Sequence, residues 1–246
     1  GQGEAIVRRI IATGTLVLQT AAHFGGGAND VTDAALLRDG DADGDGRPFI
    51  PGSSLAGALR GYLRRRTVDA TAAPFDRRER DAWVLAALFG GREAPASPEE
   101  SDLTLADNGR PDDGLLSMLA VDDAFLTSDA ARVAATALRD RVRIDPERRT
   151  ADDQGKFDYE VLEPGTSFAV RVELTLRDAH LDLHDDLQRL FNAMLDALTA
   201  EEIKLGAHTR RGLGRCSVER WSVLELDLSR PRDVLRWLHD DEPDEE

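Results

Sequence analysis

Residues 168–198 constrain the fold more than any other stretch, because the hydrophobic period changes once within them. Phe168, Val170, Val172, Leu174 and Leu176 alternate with Ala169, Arg171, Glu173 and Thr175, the period of a strand with one buried face. Leu187, Leu190, Phe191, Met194, Leu195 and Leu198 then recur at helical spacing and mark one face of a helix. A strand and a helix that each present one apolar side are stable only when stacked, so the spacing predicts a layer of sheet covered by helices.

The rest of the chain extends the same pattern. Residues 5–20, "AIVRRIIATGTLVLQT", are rich in β-branched side chains and read as a long strand. "HFGGGAND" breaks it. Leu55, Ala58, Leu59, Tyr62 and Leu63 lie at helical spacing, with Ser53 or Ser54 placed to cap the start, so 55–65 reads as an amphipathic helix. A second short helix is expected at 81–89, ended by Gly90 and Gly91. Residues 93–114 have the Pro, Ser, Asp and Gly content of a loop, and "GLLSMLAVDDAFL" behind them reads as a buried strand. Residues 139–165 are charged and lack a sustained period, which suits an extended insertion or a hairpin. A strand at 215–228 and a short helix at 234–238 complete the chain. The order strand, helix, strand, strand, helix, strand predicts an α+β fold with a ferredoxin-like core. It forms one domain over 1–239 with insertions at 39–46, 93–114 and 139–165, followed by a disordered acidic tail at 240–246.

Charge has to be read by position. The formal net charge is −16 over 246 residues, which taken alone opposes binding to a phosphate backbone. Yet 46–68 holds five arginines and no carboxylate, and 203–218 is also free of acid. Arg8, Arg9, Arg47, Arg60, Arg64, Arg65, Arg66, Lys204, Arg210, Arg211 and Arg215 lie in acid-free stretches, while acids concentrate in 39–45, 93–123 and the tail. Folding could gather the basic segments into one face; each could equally be a solvated surface, and charge alone does not choose. The dominance of arginine over lysine suits bidentate phosphate contacts, as it does a GC-rich genome or a salt-adapted proteome. The one cysteine, Cys216, excludes a disulfide framework and a zinc cluster. With no membrane-length apolar run and no signal-peptide pattern, the expected location is the cytoplasm.

Two segments carry chemistry. Pro51-Gly52 forces a turn into a helix, and Gly52, Ser53 and Ser54 stand where unpaired helix N-terminal amides bind anions. Gly57, Arg60, Gly61 and Arg64 fall on one helical face; interior glycines cost about 1 kcal/mol each against alanine, so something approaches that face closely, either a partner or a strand of the same chain. "KLGAHTRRGLGR", 204–215, is a second basic loop; Arg210 and Arg211 beside Gly212 suit sugar-phosphate contact. It lacks the ending of a nucleoside-triphosphate loop.

These residues carry a resemblance. "PFIPGSSLAGALR" and "GAHTRRGLGR" are similar, in sequence, order and separation, to the two hallmark motifs of the RAMP superfamily of CRISPR-associated proteins. "GLLSMLAVDDAFL" resembles the strand such proteins carry between them. "HFGGGANDVTDAALLRDG" resembles the segment by which the repeated backbone subunit of type III effector complexes holds guide RNA and cuts target RNA. The resemblance implies an RRM-like ferredoxin core, a thumb hairpin at 139–165, and a catalytic Asp33, with Asp30 as second choice. RNA contacts then fall to His23, Gly52, Ser53, Ser54, Arg60, Arg64, Arg210, Arg211 and Gly212. Asp33 would also be the ligand of Mg²⁺ or another divalent cation, which stabilises charge developing as a 2′-hydroxyl attacks phosphorus. The implied partners are guide RNA, target RNA and other RAMP subunits or further copies of this chain, with no membrane. Ala56 departs from the family, which often has lysine there; this speaks for a non-catalytic subunit that only binds RNA and assembles the complex. A third reading is a guide-processing endoribonuclease with His23 as general base, which needs no metal.

Other patterns are weaker. "DGDADGDG" begins like a calcium loop but lacks the closing glutamate, since Ile50 or Gly52 takes that position. His180 and His184 have metal spacing without a third ligand and read as structural. Trp83, Trp221 and Trp237 read as core or subunit contacts.

Overall fold

The computed structural model describes residues 5–27, 35–39, 46–70, 73–91, 117–127, 136–144 and 151–240. In chain order its elements are β1 (Ile6–Leu18), β2 (Gly25–Gly27), β3 (Ala35–Leu36), β4 (Phe49–Ile50), α1 (Gly52–Arg66), α2 (Phe75–Phe89), β5 (Leu119–Val121), β6 (Ala124–Leu126), β7 (Thr136–Ile144), β8 (Ala151–Leu162), β9 (Ser167–Arg177), α3 (His184–Thr199), β10 (Cys216–Asp227) and α4 (Pro231–Asp240). The main sheet is antiparallel with order β10-β1-β9-β6-β4, and β5 pairs with β9 beside β6. β1 lies between β10 and β9, and its alternation matches that of β9. Ile10 pairs with Leu174, Ala12 with Val172 and Leu16 with Phe168, and all six are buried on one side.

Three helices cover that side. α3 buries Leu187, Leu190, Phe191, Met194, Leu195 and Leu198, α1 buries Leu55, Leu59, Tyr62 and Leu63, and α2 buries Val84, Leu85 and Leu88. Each such side chain contributes about 1.5–3 kcal/mol, so burial rather than propensity holds α1 in helical form despite Gly57 and Gly61. α2 starts at Phe75, not at residue 81. Its first turns have no apolar period, but Arg80 pairs with Asp186 of α3 at 2.6 Å and Asp81 with Arg189 at 2.7 Å, which ties them down from outside.

The strand expected over 114–126 is two short strands, because Asp122 and Asp123 turn away from the core. Asp122 pairs with Arg171 at 3.0 Å, and Asp123 accepts from the Gly52 amide. Within 139–165, residues 139–144 and 151–162 pair as antiparallel strands, β7 with β8, registered from Thr136 opposite Leu162 to Ile144 opposite Ala151, while 145–150 lie outside the described residues. Of the remaining expectations, 40–45 of the acidic loop with its calcium-like pattern, 92–116 and the tail residues 241–246 lie outside the described residues.

The opposite side of the sheet carries a charge network. Arg9 and Arg171 both bond Glu173, whose side chain is 6% exposed, and the Arg9 guanidinium lies 4.7 Å from the ring centroid of Trp237 on α4. Burial alone would raise the Glu173 carboxyl, but the hydrogen bonds and charges of Arg9 and Arg171 outweigh it and hold the group below the ordinary carboxylate range. Cys216 is buried and its thiol is pushed up to about 12, chiefly by desolvation. No described helix is long and apolar enough to cross a membrane.

Candidate functional site

The first motif is positioned by a close approach. β4 ends at the fully buried Ile50, Pro51 stays extended, and α1 begins at Gly52. A Cβ on Gly52 would stand 2.2 Å from the Val121 carbonyl oxygen, so the turn packs against β5 only with glycine. The Gly52 amide donates to Asp123 Oδ1 at 2.7 Å, and that carboxylate offsets the positive end of the helix. Neither serine caps. The N-cap is Pro51, with no side-chain bond, and Ser53 and Ser54 are exposed within the first turn.

The second motif is stitched onto the chain just after β1. Leu205 donates to the Gly214 carbonyl at 2.8 Å, Gly214 to that of Ala21 at 2.8 Å, and Ala207 to that of His23 at 2.9 Å. Gly206 has φ +79°, and a Cβ there would lie 2.4 Å from the His23 carbonyl oxygen. His208 takes the left-handed conformation at φ 61°, before a single 3₁₀ turn over Thr209–Arg211. The two motifs meet across a cleft of about 410 Å³ whose polar lining includes His23, Ser54, Lys204 and Thr209, with Phe24 and Leu37 as apolar wall.

His23 is buried in this wall, 5% exposed. Its Nδ1 lies 2.6 Å from the Glu160 carbonyl oxygen; a carbonyl only accepts, so Nδ1 is the donor of that bond. Tyr159 meets the His23 ring edge-on at 5.9 Å between centroids and His208 stacks on it at 6.3 Å. The Glu160 carboxylate accepts from the Leu36 amide at 3.0 Å and pairs with Arg38. Leu37 donates to the Phe24 carbonyl at 2.8 Å, so one hairpin residue and one ladder hold the wall together.

The expected RNA contacts are divided by the fold. His23 and Ser54 line the cleft; Arg210, Arg211 and Gly212 follow directly after Thr209, which also lines it. Arg210 and Arg211 are exposed and meet no carboxylate among the described residues. Arg60 and Arg64 lie further along α1, Arg64 3.4 Å from Asp69. The basic surface is narrower than the charge distribution suggests, since Arg8, Arg9, Arg66 and Arg215 each pair with a carboxylate. No strand of the chain covers the glycines of α1 among the described residues: a Cβ on Gly57 would meet nothing within 4 Å, and one on Gly61 only Arg65 at 3.4 Å. Trp83, of the three tryptophans, is 60% exposed, whereas Trp221 donates to the Leu195 carbonyl at 3.2 Å within the core.

Asp30 and Asp33 lie outside the described residues, between Gly27 and Ala35, which pair with each other. Among the described residues no three His, Cys, Asp or Glu side chains are grouped to hold a metal ion; His184 Nε2 is 2.9 Å from the Arg177 carbonyl oxygen. Sequence reasoning missed Glu160, Tyr159, Arg38 and His208. Their partners are distant along the chain, His23 lying 137 residues before Glu160 and further still before His208, and the run around Tyr159 has no period to mark it.

A protein-family model, the RAMP superfamily, matches residues 15–217 and so takes in both motifs and the cleft between them. The chain belongs to the RAMP superfamily. No curated protein matches the sequence. A solved structure described as the cryo-EM structure of the type III-B Cmr-beta bound to cognate target RNA is similar with a TM-score of 0.54 and 13% identity, over 89% of this chain and 98% of that one. At that identity the likeness is one of fold.

Proposed function

We propose that this RAMP protein is a guide-RNA-binding backbone subunit of a type III-like CRISPR effector complex that cuts complementary target RNA through Asp33. The observation that carries the reading is the convergence of the two motifs on one cleft, with Arg210 and Arg211, exposed and without a carboxylate partner among the described residues, next in the chain to the lining Thr209. Such guanidiniums suit phosphates, and Ser54, Lys204 and His23, which line the cleft, offer hydrogen bonds to a sugar-phosphate chain. The sheet order β10-β1-β9-β6-β4 supports a ferredoxin-like core, and the β7–β8 hairpin supports a thumb, so that 1–239 acts as one domain with insertions and 240–246 as a tail. The similar solved structure is of a type III-B Cmr-beta bound to cognate target RNA, which supports RNA as the ligand; neighbouring RAMP subunits or copies of this chain would be its other partners, in the cytoplasm.

Asp33 supplies a hard oxygen, the ligand type Mg²⁺ prefers; the cation would provide charge stabilisation at the phosphate, while His23 and the arginines bind and orient the strand. A second reading, an assembly scaffold without cutting, is favoured by one observation: the Gly52 amide, which the motif would offer to phosphate, is already taken by Asp123. The deciding experiment is cleavage of a labelled guide-complementary RNA by the purified complex, wild type against Asp33→Ala and Asp30→Ala, with and without Mg²⁺. Regularly spaced products that need Asp33 and the metal support the cutting subunit. Intact RNA with guide still bound supports the scaffold.

A further inference from the structure

The cleft wall is held by a residue that does not line the cleft. Glu160, in β8, makes three kinds of contact: its carbonyl takes the His23 Nδ1 hydrogen, one carboxylate oxygen takes the Leu36 amide at 3.0 Å, and the other pairs with Arg38. Arg38 in turn donates to the Gly46 carbonyl at 3.2 Å. The same strand is anchored beside His23 by Ala22 and Leu162, which exchange amide bonds of 3.0 and 2.8 Å, with Tyr159, Val161 and Leu162 buried around it. A displacement of the β7–β8 hairpin therefore reaches His23 through the Glu160 main chain and residues 36–38 through its side chain, 12% exposed. A well-packed hydrogen-bonded joint of this kind transmits displacement rather than absorbing it.

We propose that Glu160 is a positioning residue that couples the β7–β8 hairpin to the cleft wall and sets the wall for cutting RNA without touching RNA itself. This rests on the reading of the chain as an RNA-cutting subunit. The test uses the guide-loaded complex and compares wild type with Glu160→Ala, Glu160→Gln, Arg38→Ala and Asp33→Ala, measuring single-turnover cleavage and target affinity separately. Glu160→Ala and Arg38→Ala are expected to slow cleavage about tenfold or more, since misplacements of about 1 Å can cost about 100-fold, while target affinity changes by less than about twofold. Glu160→Gln keeps an acceptor for the Leu36 amide and should recover part of the rate. Cleavage at the wild-type rate in Glu160→Ala, or rate and affinity falling together as in a merely unfolded wall, overturns the inference while leaving Asp33 to be judged on its own variant. If wild type cuts nothing, the cutting reading fails, and the coupling is judged by amide exchange: target RNA should alter exchange at residues 35–39, which the Glu160 side chain holds, in wild type and not in Glu160→Ala. Identical exchange in both overturns it.

Discussion

Replacing Gly206 by alanine tests whether the second motif shapes the cleft or merely borders it. Two costs arise at that position. The φ of +79° is left-handed, which costs a side-chain-bearing residue about 1–2 kcal/mol. The new Cβ would also sit 2.4 Å from the His23 carbonyl oxygen and 3.2 Å from a Phe24 ring carbon. That carbonyl already accepts from Ala207 at 2.9 Å, so relief of the clash breaks a hydrogen bond worth about 1 kcal/mol. Gly212 is the control, with φ +90° but nothing within 4 Å of its Cβ; Gly212→Ala bears the backbone cost alone. We expect a loss of about 3 kcal/mol for Gly206→Ala and about 1 kcal/mol for Gly212→Ala, or falls in Tm of about 6–12 °C and about 2–4 °C in a chain of this size. Thermal and urea unfolding of both variants measure the difference. Equal shifts would refute the reasoning, because they would mean that the loop is not pinned on His23.

Arg210→Ala and Arg211→Ala should each weaken RNA binding evenly across sequences and reduce the slope of log affinity against log salt by about 0.7, read by titrating single-stranded RNA at several salt concentrations. A slope unchanged by either would place the phosphate contacts elsewhere. Stability should fall as pH drops through the lowered pKa of Glu173: its folded carboxyl is depressed below the unfolded value, so its contribution is complete above the unfolded value and is lost as the folded group protonates. Urea midpoints between neutral and acid pH check this, and Glu173→Gln should flatten the profile and cost about 2 kcal/mol at pH 7. Gly57→Ala should stabilise the isolated protein by about 1 kcal/mol, as nothing described stands where the methyl would go; a lower Tm would reveal a covering element.

Much of the layer architecture was readable before any coordinates. The alternation at residues 168–176 and the helical stripe at 187–198 became β9 and α3 because a period of two or of three to four is a local property that burial only ratifies. What failed locally failed for a nonlocal reason. Ser53 and Ser54 have the right chemistry for a cap, yet Asp123, 71 residues on, takes the Gly52 amide. The helix expected at 81–89 begins six residues earlier, at Phe75, because Asp186 and Arg189 of α3 grip Arg80 and Asp81. Arg8, Arg9, Arg66 and Arg215 stand in acid-free stretches of sequence and beside carboxylates in space.

The sequence by itself determined the periodicities, the two glycine-bearing motifs and the RAMP membership they carry, since each resides in neighbouring residues. Tertiary structure alone decided that the motifs share a cleft, that Arg210 and Arg211 meet no carboxylate among the described residues, and that Glu160 joins a hairpin to His23. Those facts depend on which distant carbonyl, carboxylate or ring a side chain meets once the core has closed, and no local pattern encodes that meeting.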